Sequence, residues 1–364
     1  MFWLLAALLQ AVAPAPPTAA STEPVLDPRW AVELTAPPAQ RAGYDDNTVY
    51  VATRDGALVA IDMDRGSVRW QREVAEATVP DASGGLVFVG SRDTVMALEA
   101  TGGQPRWTRT LPGSIASVHF DTGWLLCVGT EGTLWALRAE DGAALWNVAL
   151  GSRAAVAPAA GLDKLYVGLD DGRLLALTLA DGRIVWSRPM GYRITGVSAV
   201  AGQLMVSTAG SASRAVFSFD LKGGDQRWRW RVGGDVSGPA SSNGRLIFVA
   251  SRDNVLRALD ARTGALRWSA DLPARPVGGP VLVGETIRVP LASTVAVFSA
   301  DTGKAVGTVG VAGDLNEPPR SREGRPTGAS LIAITREGHV LGFGRRIEAP
   351  TVPLAELPGV RARP

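Results

Sequence analysis

"VYVATRDGALVAIDMDRGSVRW", residues 49–70, holds two apolar runs separated by Asp55-Gly56, then a second turn at Arg65-Gly66 and a tryptophan at Trp70. Apolar runs of this length without clean alternation read as strands covered on both faces. An Asp-Gly pair supplies the positive φ that a two-residue hairpin needs. The phrase therefore reads as three consecutive strands, two joined by a hairpin and the third carrying the tryptophan.

The phrase returns along the whole chain. "LVFVGSRDTVMALEATGGQPRW" ends at Trp107, "LLCVGTEGTLWALRAEDGAALW" at Trp146 and "LYVGLDDGRLLALTLADGRIVW" at Trp186. Further copies end at Trp228 and Trp268, and a seventh carries Gly307 where tryptophan is expected. A turn glycine precedes each slot by four residues, at Gly66, Gly103, Gly142, Gly182, Gly224, Gly264 and Gly303. Slots recur every 37 to 42 residues, the length of four short strands and the size of one propeller blade.

The two ends supply the eighth unit. "LIAITREGHVLGFGRR", residues 331–346, stops after its Glu337-Gly338 hairpin, and "DPRWAVEL", residues 27–34, is a tryptophan strand with no hairpin before it. Trp30 precedes Trp70 by 40 residues, in register with the other slots. The expectation is an all-β, eight-bladed β-propeller whose last blade is completed by the first strand. Such closure removes open sheet edges. Trp30, Trp70, Trp107, Trp146, Trp186, Trp228 and Trp268 are then wedges between blades, each able to bury about 200 Å².

Composition agrees with this. The chain of 364 residues is 46% apolar, with 42 Gly and 24 Pro, which favours turns over long helices. A net charge of +2 with no basic block argues against a nucleic-acid partner. The single cysteine, Cys127, sits in the apolar run "WLLCVG" and allows neither an internal disulfide nor a thiolate cluster. At the start, the apolar stretch 2–13 is too short to span a bilayer, which takes about 20 residues. It fits a secretory signal over residues 1–20, although no Lys or Arg precedes it. The expected organisation is that signal, a propeller over 21–346 and a Pro-rich tail over 347–364. The product is expected to be exported to the periplasm or cell envelope. With no cysteine after the signal for lipid attachment, membrane association is expected only indirectly or through an uncleaved N-terminus.

The phrase in its fullest form, "LIFVASRDNVLRALDARTGALRW" at 246–268, resembles the PQQ-like propeller repeat, and the resemblance covers residues 27–346. Repeat number and the degenerate seventh slot are most similar to the BamB family of outer-membrane-protein assembly factors. That resemblance implies an envelope partner in the barrel assembly machinery, held by a Leu-x-Leu-Arg stretch and by an Asp-x-Asp one blade on. Here Leu150 and Arg153 match the first motif, with Ser152 at its second leucine, and Ile194 and Gly196 stand at the acidic positions. The alternative is a small-molecule-binding propeller or a PQQ-dependent dehydrogenase. Such dehydrogenases resemble the chain in the repeat only and carry a pair of adjacent cysteines over the quinone, which Cys127 alone cannot form.

Little in the sequence points to catalysis. His119 and His339 are the two histidines, with no metal-ligand spacing between them, and most carboxylates fall in turns, where they cap backbone amides. No catalytic group, cofactor or metal is expected. The copies differ most clearly seven residues after each slot, at Pro37, Ala77, Ser114, Arg153, Arg193, Asp235, Arg275 and Asp314. Equivalence places these around one mouth of the ring. The candidate partner-binding rim is Leu150, Arg153, Arg193, Asp235, Arg275 and Asp314, with the sign pattern leaving Arg153 and Arg193 unpaired. The reading is a monomeric, non-catalytic, protein-binding scaffold.

Overall fold

The computed structural model describes residues 26–210, 214–322 and 328–344, so the expected signal and Pro-rich tail lie outside the described residues. Every element described is a strand, and the strands form eight four-stranded antiparallel sheets arranged as propeller blades. Blade one shows the pattern, with strands Gly43–Tyr44, Thr48–Ala52, Ala57–Asp62 and Val68–Glu73 in that order across the sheet. Its second strand is buried at every position, because neighbouring blades cover both faces. Its fourth strand buries little besides Trp70. First strands of adjacent blades lie against each other, for example in blades one and two or four and five, which puts them at the hub.

Blade eight is assembled from both ends of the chain. Its strands are Arg320–Ser321, Leu331–Ile334, His339–Gly344 and, beside the last of these, Asp27–Glu33. The pairing runs from Asp27 opposite Gly344 to Glu33 opposite His339.

One irregularity recurs at every slot, including Gly307 in blade seven. In blade one Ala60 faces Trp70 but Ile61 faces Val68, so Arg69 is an extra residue. The same slip precedes Trp107, Trp146, Trp186, Trp228 and Trp268, and in blade eight it falls at Arg29, before Trp30. A bulge re-aims the next side chain. Here it turns the indole toward the following blade. Trp70 lies on Gly103 so closely that a Cβ there would meet the ring at 2.8 Å, and its Nε1 donates to the carbonyl of Ala100 at 2.9 Å. Gly103 has φ +70, so both its conformation and the ring above it exclude a side chain.

The contact repeats for Trp30 on Gly66, Trp107 on Gly142, Trp146 on Gly182, Trp228 on Gly264 and Trp268 on Gly303, each with an indole N–H donated to a carbonyl of that blade. Trp186 departs from the pattern. Its ring lies on Gly224, but its Nε1 has no partner among the described residues, and Leu221 O, in the equivalent place, accepts from the Tyr166 hydroxyl. Between blades seven and eight both halves of the contact are missing. Gly307 occupies the tryptophan slot, and the third and fourth strands of blade eight are not joined by a turn that could present a glycine. That junction is packed instead by Leu26, Val309, Val311, Leu331 and Phe343.

Candidate partner-binding rim

The residues seven past each slot sit where the chain leaves the fourth strand of one blade for the first strand of the next. At five of them the carbonyl is held by the hairpin of that next blade. Pro37 O accepts from Arg54 N at 2.9 Å, Ser114 O from Thr130 N at 2.9 Å, and Arg153 O from Asp170 N at 2.9 Å. Asp235 O accepts from Arg252 N and Asp314 O from Arg336 N, both at 2.8 Å. The repeated bond brings these loops and the Asp-Gly-type hairpins to one end of the ring. The rim is therefore built from two loops per blade.

Its charges pair within this double set. Arg153, expected to be unpaired, reaches Asp170 of the adjoining hairpin at 3.3 Å. Asp235 is bound by Arg214 at 3.1 Å, not by another residue of its own ring of positions. Arg193, Arg275 and Asp314 are exposed and have no ion pair among the described residues. Leu150 is only 2% exposed, within a cluster with Leu126, Leu165 and Leu175, while its carbonyl accepts from Arg173 at 3.2 Å. Its side chain thus anchors the loop from inside, and the surface is left to the charged positions. Ion pairs this exposed contribute about 0–1 kcal/mol, so these side chains can be changed with little effect on folding.

Groups capable of chemistry are dispersed. Among the described residues no three His, Cys, Asp or Glu side chains are grouped to hold a metal ion. Burial pushes the Cys127 thiol up to about 12. His119 lies in the first strand of blade three, 3.0 Å from Ser117 Oγ, with burial lowering its pKa against the opposing pull of Asp81. His339 opens the third strand of blade eight, with its backbone N–H donated to Thr335.

A polar cluster that the repeat does not foretell joins blade eight to blade one. Glu317, 6% exposed, accepts from Ala42 N at 3.0 Å and from the Tyr44 hydroxyl at 2.7 Å. Asn316 Nδ2 donates to Gln40 O at 3.2 Å, and Arg320 lies 5.6 Å over the Tyr44 ring. Arg322, 9% exposed, pairs with Asp64 at 2.7 Å and donates to Asp46 O at 2.6 Å. The only signal in the sequence is an acid held among prolines and arginines, "NEPPR" at 316–320, away from any hairpin turn. Asp64→Ala leaves the Arg322 guanidinium buried with carbonyl partners alone. It is expected to cost about 2 kcal/mol in chemical denaturation, within the range for a charged hydrogen bond. A neutral result would show that Arg322 is solvated in solution.

Against this geometry, comparison with known proteins is consistent. A family model described as outer membrane protein assembly factor BamB matches residues 27–94, 75–207 and 190–343. Curated relatives of that description include the Escherichia coli K12 protein, 32% identical over 274 residues, covering 67% of this chain and 69% of that one. The Bordetella pertussis protein is 26% identical over 275 residues, covering 71% of this chain but 61% of its own length. Among solved structures, BamB from Moraxella catarrhalis superposes with a TM-score of 0.69 at 20% identity, over 88% of this chain and 99% of that one. Sqt1 from Saccharomyces cerevisiae reaches 0.73 at 11% identity, over 87% and 98%, a likeness of fold alone. With a family model spanning nearly all of the described ring, the chain belongs to the outer membrane protein assembly factor BamB family.

Proposed function

We propose that this protein is a non-catalytic scaffold of the bacterial envelope that assists outer membrane protein assembly by docking a component of the barrel assembly machinery on its rim. Membership of the family supports the role, and the exposed, unpaired Arg193, Arg275 and Asp314 support the surface. Arg153 belongs to the same surface, because a pair as exposed as Arg153–Asp170 exchanges readily for a partner's carboxylate. The positions equivalent to the family's acidic pair hold Ile194 and Gly196, so here recognition rests on the arginines. The apolar N-terminal stretch supports export to the periplasm.

The test is in-cell crosslinking followed by identification of captured proteins, for the native chain and for Arg153→Glu with Arg193→Glu. The native chain is expected to recover barrel-assembly components. The double variant is expected to lose at least about tenfold of that recovery, while its stability stays within about 0.5 kcal/mol, as for surface substitutions generally. Undiminished capture by the double variant would remove the rim from the reading. Capture of no assembly component by the native chain would remove the role.

A further inference from the structure

The junction of blades seven and eight, which lacks both the indole and the turn glycine of the other seven, carries an apolar groove of about 350 Å³. It is bounded by residues 28–31 of the strand Asp27–Glu33, by Leu341 and Phe343 of the strand His339–Gly344, and by Gly310 and Ala312 of blade seven. That volume suits a few apolar side chains. We propose that the groove is the docking site of this chain's own segment 347–360, "IEAPTVPLAELPGV", with Leu354 and Leu357 occupying the junction that Trp fills elsewhere.

Three observations carry the assignment to this occupant. The described strand ends at Gly344, one residue after Phe343 of the groove wall and three before the segment begins in sequence. Leu354 follows Gly344 by ten positions, and ten extended residues reach about 33 Å, more than enough to fold back over the wall. The segment also matches the groove in chemistry. Its apolar residues suit the wall, and its three prolines favour an extended form that loses little entropy on docking. Leu26, just before the strand Asp27–Glu33, already packs into the neighbouring cluster.

The experiment uses the full chain, whose Cys127 is buried and does not interfere. Ala312→Cys combined with Leu354→Cys is compared with Leu162→Cys combined with Leu354→Cys under mild oxidation, Leu162 being 68% exposed at a turn in blade four. The first pair is expected to form an intrachain disulfide at least about tenfold faster than the second, at a rate independent of protein concentration, because docking raises the local concentration of the two thiols. Equal rates, or no bridge in either, overturn the proposal. Bridges between molecules that increase with concentration also overturn it, assigning the groove to a second copy. As a check that needs no engineered thiol, backbone amides of 350–360 are expected to exchange slowly in the native chain and at free-chain rates in Leu354→Asp with Leu357→Asp. Free-chain exchange in the native protein counts against docking.

Discussion

Trp70→Ala is expected to lower stability by about 3–5 kcal/mol, the range for removing a large aromatic from a packed interior. Trp70 is 9% exposed, its ring lies on Gly103 and 5.8 Å from Tyr50, and its indole N–H reaches Ala100 O at 2.9 Å. Alanine removes the ring from both blades at once and leaves the Ala100 carbonyl without its donor. Phenylalanine separates the two effects. Trp70→Phe keeps most of the packing but loses the hydrogen bond, for about 1–2 kcal/mol. Trp186→Phe has no such bond to lose and is expected to cost less. Denaturant melts followed by circular dichroism give all three values. Equal costs for the two phenylalanine variants would show that the indole N–H adds nothing to blade docking.

Glu317 is expected to make the ring's stability depend on pH at the junction of its last and first blades. Burial raises its pKa from 4.5 to about 7, against the hydrogen bonds from Tyr44 and Ala42 N and the attraction of Arg41. Below pH 4.5 the carboxyl is protonated in folded and unfolded chains alike, and its contribution is fully present. As pH rises from 4.5 to about 7, the unfolded chain releases the proton while the folded one holds it, so stability falls across that window. The loss is on the order of 3 kcal/mol and is complete just above pH 7. Glu317→Gln keeps the shape and stays neutral. The variant is therefore expected to match the native protein near pH 4.5 and to be more stable than it at pH 8. Melts across this range decide it. If the native slope persists in Glu317→Gln, the titrating group lies elsewhere.

The architecture was readable because its causes are local and repeated. A hairpin glycine, a second turn glycine four before the slot and an apolar run are properties of short stretches, and each copy corroborates the rest. Trp30 stands 40 residues before Trp70, the interval of the other slots, so the eighth unit is countable from the sequence. The rim was readable only as a set of positions. Sequence aligns its charges only with one another around the ring, whereas Arg153 bonds to Asp170 in the hairpin that shares its end of the blade. Leu150 matched a motif in sequence, yet the apolar surroundings that bury it come from strands in two blades. Glu317 and Tyr44 stand 273 residues apart, and nothing in either stretch names the other. Contacts of that span follow from ring closure, which the repeat implies only in outline.

Blade eight also sets a timetable for synthesis. The strand Asp27–Glu33 emerges early, but its hydrogen-bonding partner begins at His339, 306 positions later than Glu33 (339 − 33). At about 5–20 residues per second, translation leaves that strand waiting for roughly 15–60 s. Through that interval the strand has an unpaired edge open to any other strand nearby. The edge closes only when the last blade arrives, so the moment at which the ring can shut is set by the end of the chain and not by its beginning.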